Sequence, residues 1–181
     1  VVLERAAFVA GRNARAPGKY MFKISAEFRE KAEVGASLEK VRRFLFDPQN
    51  FARMIPHVES IRTDAKGITR WTIAVEIPVV GKVRESFPVE LEETPDDELE
   101  WRSAAGEKEN LLRCLVLLQE KSAGTTVAQI SLKVELRRSK AKNLHPLAPV
   151  AGEKLISREM NKRVAEMIGD FLQKAKEKLE K

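Results

Sequence analysis

The chain has 181 residues, 43% hydrophobic and 33% charged, which is enough apolar material for one core and too much for a disordered chain. Its single cysteine, Cys114, excludes an intramolecular disulfide, and no apolar run nears the ~20 residues of a membrane helix. The net charge of +6 is uneven: residues 1–20 alone carry +3 and the rest is diluted over many acids, which favours a solvated basic surface over nucleic-acid binding.

Residues 1–20 are rich in Arg and Ala and end in Pro17-Gly18. They read as an extension ahead of a single core domain over residues 21–181. From Met21 the pattern is regular. Phe22, Ile24, Ala26 and Phe28 alternate with polar residues, which predicts a half-buried strand. Ser37 is a good N-cap for a helix carrying Leu38, Val41, Phe44 and Leu45. Asp47-Pro48 breaks that helix, Pro48 opens a second short one through Phe51 and Met54, and Pro56 ends it.

A strand-rich middle follows. Val58 to Thr63 predicts one strand, and Trp71, Ile73, Val75 and Ile77 share one face of the next. Pro78 to Gly81 turns the chain. Val83, Glu85, Phe87, Val89 and Leu91 share a face of another strand, with Pro88 marking an edge or bulge. Leu99, Trp101 and Ser103 mark a short strand. Leu111 to Leu118 is an apolar run of unassigned facing. Ala128, Ile130, Leu132, Val134 and Leu136 alternate cleanly. The period then changes from 2 to 3.6: Ile156, Met160, Val164, Met167, Phe171 and Ala175 define one face of a helix from about Glu153 to Glu180, roughly 42 Å long. Its last turns, Lys174 to Lys181, are mostly charged and are expected to project or fray.

Strands joined by short turns make an antiparallel sheet, and the long helix carries the apolar stripe that can cover it. The fold class is therefore α+β: a curved sheet of about seven strands, two short helices and a long C-terminal helix. Trp71, Ile73, Glu85, Phe87, Trp101, Met160, Val164, Met167 and Phe171 are the residues expected to line the space between sheet and helix. They suit a hydrophobic ligand, and they suit a filled core equally well; both readings stay open at this point.

The element order resembles the START-like (SRPBCC, birch-pollen-allergen-like, helix-grip) superfamily. The run from Phe46 through Asp47-Pro48, Ile55-Pro56 and Val58-Glu59-Ser60 to Ile61 resembles its carbon monoxide dehydrogenase branch. It is also similar to the polyketide cyclase/dehydrase and ubiquinone-binding coenzyme Q proteins. The resemblance covers about residues 21–175. The pattern of the carbon monoxide dehydrogenase branch often has Gly after the Ile-Pro, where this chain has His57. The resemblance implies a hydrophobic pocket under the long helix that carries a lipid, quinone or polyketide.

Chemistry-bearing residues are sparse. His57 and His145 lie far apart and make no metal site, and nothing in the sequence calls for a metal or cofactor. Cys114 reads as a small buried hydrophobe. Glu85 faces inward by parity, as a ligand anchor or an acid/base, unless the register slips or Arg113 neutralises it. Residues 137–142 (RRSKAK) form a basic cluster that suits anionic lipid headgroups in a peripheral membrane contact, a solvated turn being the simpler reading.

Three functions follow as expectations. One is non-enzymatic binding or transport of a hydrophobic small molecule. Another is a polyketide cyclase/dehydrase-type enzyme using Glu85 or His57 as acid/base, and the third is a protein-interaction module. A cytoplasmic setting is expected, and the sequence carries no signal for oligomeric state.

Overall fold

The computed structural model describes residues 21–94 and 97–181; the extension at 1–20 and the Pro95-Asp96 part of the expected turn lie outside the described residues. The elements run β1 (Phe22–Val34), α1 (Leu38–Phe46), α2 (Pro48–Met54), β2 (Val58–Thr63), β3 (Thr69–Ile77), β4 (Gly81–Thr94), β5 (Glu98–Ser103), β6 (Asn110–Ser122), β7 (Thr125–Arg138) and α3 (Ala148–Leu179). The seven strands form one antiparallel sheet in the order β1-β7-β6-β5-β4-β3-β2. The fold class, the strand count and the long helix are as expected.

Local chemistry accounts for the first corner. Ser37 accepts the Lys40 N–H at 3.4 Å and caps α1. Asp47 both ends α1 and caps α2, its carboxylate accepting the Gln49 N–H at 2.9 Å, with Pro48 at the first helical position where a missing N–H is harmless. One Asp-Pro pair thus bends the chain between two helices and closes one end of the sheet.

Pairing settles the facing of β6. Cys114 stands opposite both Trp101 and Leu132, so Leu112, Cys114, Val116 and Leu118 face inward and Leu111, Arg113, Leu115 and Leu117 outward. Pro88 lies in a central strand, yet at a local edge: β4 pairs with β5 only from Val89 onward, and Pro88 C=O receives the Ala104 N–H at 2.9 Å. Its missing donor therefore falls where the ladder has already ended.

The long helix has a break near its start. Gly152 has φ 77 and ψ 160, a region essentially reserved for glycine, so the continuous helix begins at Glu153. From there α3 is fastened to the edge of β1. The backbone N–H groups of Lys23, Ser25 and Glu27 donate to Glu153 Oε1 (2.7 Å), Ser157 Oγ (3.2 Å) and Asn161 Oδ1 (2.9 Å). Two strand residues advance about 6.8 Å and four helical residues about 6 Å, so side chains four apart meet strand positions two apart for three successive steps. The helix thereby covers a strand edge that is otherwise open to pairing.

The expectation that Lys174 to Lys181 project or fray is wrong. Ala175 and Leu179 continue the apolar stripe and are buried. Lys40 Nζ donates to Leu179 C=O at 2.7 Å, and the Gly35 N–H donates to Glu180 Oε1 at 2.8 Å. Lys178 lies 5.4 Å from the Phe44 ring centre. The charge-rich sequence hid one apolar residue per turn, which is sufficient to dock the end. No described helix is long and apolar enough to cross a membrane.

Candidate functional site

The inner faces of sheet and α3 meet in an aromatic cluster. Phe51 of α2 stacks on Phe171 of α3 at 4.7 Å between ring centres and tilts against Trp71 at 5.4 Å. Trp71 meets Trp101 edge-on at 5.8 Å, and Phe44 reaches Phe171 at 6.5 Å. Such pairs add about 0.5–1.5 kcal/mol each beyond their burial. They also occupy much of the space between sheet and helix.

What remains is a cavity of about 40 Å³. Of the residues expected to line it, Trp71, Val164 and Met167 do so. Phe87, Trp101, Met160 and Phe171 are buried in the surrounding core and do not reach it; Ile73 is half-buried beside that core. The wall is completed by Phe51, Ile55, Leu112, Cys114, Leu132 and Ile168. Leu132 belongs to the alternating stripe of β7, and pairing with it brings in Cys114. Phe51 and Ile55 come from a helix too short for its inward face to be read from period alone. Pockets for drug-sized ligands run to about 300–1,000 Å³, so the gap in this closed form holds about one water-sized body.

The wall has one chemically unsettled feature. The indole N–H of Trp71 and that of Trp101 are buried with no hydrogen-bond partner among the described residues. A buried donor without an acceptor costs about 1–3 kcal/mol, and Trp71 is itself on the cavity wall. Cys114 shares that wall. Burial pushes its thiol up to about 12, with the Glu100 charge adding to the effect, so it is a poor nucleophile in place.

Glu85 faces inward, opposite Ile73 and next to Phe87. Its partner is Arg138 rather than Arg113, which pairs with Glu100 on the outer face. Glu85 Oε1 lies 2.7 Å from Arg138 Nη2, and Asn110 Nδ2 donates to Glu85 Oε2 at 2.8 Å and to Ser86 C=O at 3.0 Å. This cluster spans the gap left beyond the short β5, where β4 and β6 have no strand between them. Both carboxylate oxygens are engaged, so Glu85 has no free lone-pair direction for proton transfer from a bound molecule. His57 is exposed, follows α2 with φ 69, and is not on the cavity wall. Position 57 is thus left-handed, which is the physical reason a glycine suits it and a His stands out. Of the basic run 137–142, Arg137 pairs with Glu135 and Arg138 turns inward, leaving Lys140 and Lys142 in solvent. Among the described residues no cluster of three His, Cys, Asp or Glu could hold a metal ion.

No protein-family model and no curated protein matches the chain. Solved structures do. A conserved protein from Geobacillus kaustophilus aligns with a TM-score of 0.58 at 14% identity, over 84% of this chain and 94% of that one. A START superfamily protein from Mycobacterium smegmatis aligns at 0.57 and 13% identity, over 84% and 98%. The fold is START-like. A third START-like neighbour is an aromatase/cyclase from Streptomyces sp. R1128, at 0.58 and 13% identity, over 83% and 93%. At these identities the likeness is one of fold, and function has to be argued from the site.

Proposed function

We propose that this START-like chain binds a hydrophobic small molecule between α3 and the sheet and serves as its carrier rather than as a catalyst. The observation that carries the reading is the orphaned Trp71 N–H on the wall of an otherwise apolar cavity. A ligand with a carbonyl-type acceptor on an apolar body, as in a quinone, polyketide or fatty acyl group, satisfies that donor and fills the gap. Binding requires the closed grip to widen. Met167 on the wall and Met160 beside it are the adaptable side chains that make this cheap. The likeness to an aromatase/cyclase agrees with small-molecule binding in this fold, and the engagement of both Glu85 oxygens favours carriage over acid/base chemistry.

The test is native mass spectrometry of the purified chain, alone and after incubation with a ubiquinone, palmitate or an aromatic polyketide. One bound molecule per chain is expected, with quenching of tryptophan fluorescence, and Trp71→Phe should weaken acceptor-bearing ligands more than a pure hydrocarbon. A chain that retains none of them and leaves its fluorescence unchanged overturns the reading.

A further inference from the structure

Val79 breaks the usual rules of its position. Ile77, Pro78, Val79 and Val80 form a tight turn closed by the Val80 N–H to Ile77 C=O at 3.1 Å, and Val79 has φ 73. Proline at the second position with positive φ at the third defines a type II turn, whose third position favours glycine or asparagine. A β-branched residue there is a conformational outlier. The strain secures no packing, because Val79 is 62% exposed.

It does not stand alone. Across a surface groove lies the connection from β7 to α3, with Leu147 47% and Val150 77% exposed. His145 holds that connection against the turn, its ring 3.9 Å from where a side chain on Gly81 would begin. Met21, also exposed, opens β1 at the same end, where Phe22 pairs with Arg138. Four of the five exposed large apolar side chains among the described residues therefore gather at the end of the grip where α3 begins. Scattered exposed apolar residues need no explanation; a cluster that includes a strained one does.

The surrounding charge indicates the partner. Lys140, Lys142 and Lys154 are exposed here, and none forms an ion pair among the described residues. Arg163, at the groove, is held by Glu166, and Glu76 is the one carboxylate on the groove wall. Apolar tips ringed by unpaired lysines match an anionic bilayer, whose headgroup phosphates meet the lysines while the tips enter the acyl boundary.

We propose that this end of the molecule docks on anionic membrane, with Val79, Leu147 and Val150 inserting and Lys140, Lys142 and Lys154 at the phosphates. The docking stands independently of the cargo reading, since an empty chain has the same surface.

The test is sedimentation of the full chain with large vesicles of phosphatidylcholine, with and without phosphatidylserine, at about 0.1 M salt, where charges act over about 10 Å. Binding to the anionic vesicles only, reversed at about 0.5 M salt, is expected. Val79→Gly combined with Leu147→Ser and Val150→Ser should lower partitioning at least tenfold. Lys140→Gln with Lys142→Gln should lower it roughly fivefold per lysine. Val79→Gly relaxes the turn, so loss of binding there is not loss of folding; a thermal melt checks each variant. Failure of the wild type to bind, equal binding to neutral vesicles, or unaltered binding by these variants (which would assign it to residues 1–20 or another face) each overturns the proposal. Bound vesicles with no retained cargo would overturn only the carrier function.

Discussion

Glu85 and Arg138 form an ion pair of 2.7 Å on the inner face of the sheet, both side chains largely withdrawn from water. They stand where β5 has ended, so the pair and Asn110 tie β4 to β6 and β7 in place of ladder bonds. Breaking such a pair leaves a buried charge uncompensated. Glu85→Ala is expected to destabilise the fold by about 3 kcal/mol, and replacing both residues with leucine to cost much less. Urea unfolding of the two variants checks this; a Glu85→Ala cost of a few tenths would show that water reaches the gap.

Stability should fall in acid, and for a traceable reason. Burial raises the Glu135 carboxyl, but hydrogen bonds from Arg137 and Lys23 and their charges outweigh it and hold the group below the usual carboxylate range. Burial raises Glu107 too, and the backbone N–H groups of Asn110, Glu109 and Lys108 more than reverse it. A folded-state value below the unfolded one means stability that is present above the unfolded value, about pH 4.3, and lost as pH falls through the folded one. Glu135→Gln should flatten the acid limb of a stability-against-pH curve. An unchanged slope would place the acid sensitivity elsewhere.

His57 occupies a left-handed position with φ 69, and its backbone carbonyl receives the Ala74 N–H at 3.0 Å, so the conformation is locked into the sheet. His57→Gly should stabilise the chain by about 1 kcal/mol, raising Tm by roughly 2–4 °C. A fall in Tm would mean that the imidazole makes compensating contacts.

The helix that guards β1 gives a site-resolved expectation. Lys23, Ser25 and Glu27 lie on an edge strand, yet their amides should exchange slowly with solvent because Glu153, Ser157 and Asn161 hold them. Asn161→Ala removes the Glu27 acceptor and also the donor to Ser25 C=O at 3.3 Å, and should cost about 1–2 kcal/mol. Hydrogen exchange should accelerate at Glu27 far more than at Lys23. Uniform acceleration along β1 would instead indicate that α3 detaches as a unit.

Cys114 reports on the cavity from inside. With its thiol pushed up to about 12 and its wall apolar, it should react with a bulky thiol reagent only through opening of the grip. Met167→Ala enlarges the cavity and should destabilise the chain by about 2–4 kcal/mol while speeding Cys114 labelling and uptake of an apolar dye. Faster labelling without dye uptake would count against a ligand space.

Much of this architecture is readable from the order of residues. Alternation in β3 and β4 puts Glu85 on the inner face, because a two-residue period allows no intermediate orientation. Its partner is not readable: Arg138 looks like one more cation in RRSKAK, and only the β1-β7-β6 pairing turns it inward while Arg137 points out. The fastening of α3 to β1 is hidden for a similar reason. Glu153, Ser157 and Asn161 read as an ordinary solvated stripe, and their role depends on a strand edge that period alone does not locate. Periodicity also names which side chains face inward without saying how far they reach. Phe51 arrives from a seven-residue helix and fills space that Trp71 and Phe171 alone would have left open.

The polar stripe joining α3 to β1 has a mechanical consequence. One long side of the helix is riveted to backbone at Lys23, Ser25 and Glu27, and its far end is clamped at Gly35. On the other flank, the hydrogen bonds from α3 to α2 among the described residues are two flexible lysines, Lys174 to Met54 C=O at 3.2 Å and Lys178 to Asn50 Oδ1 at 3.5 Å. A plate fixed along one margin swings about that margin. The spine of this molecule is β1, and its fore-edge, the seam through which anything larger than water reaches Cys114, runs between α2 and α3.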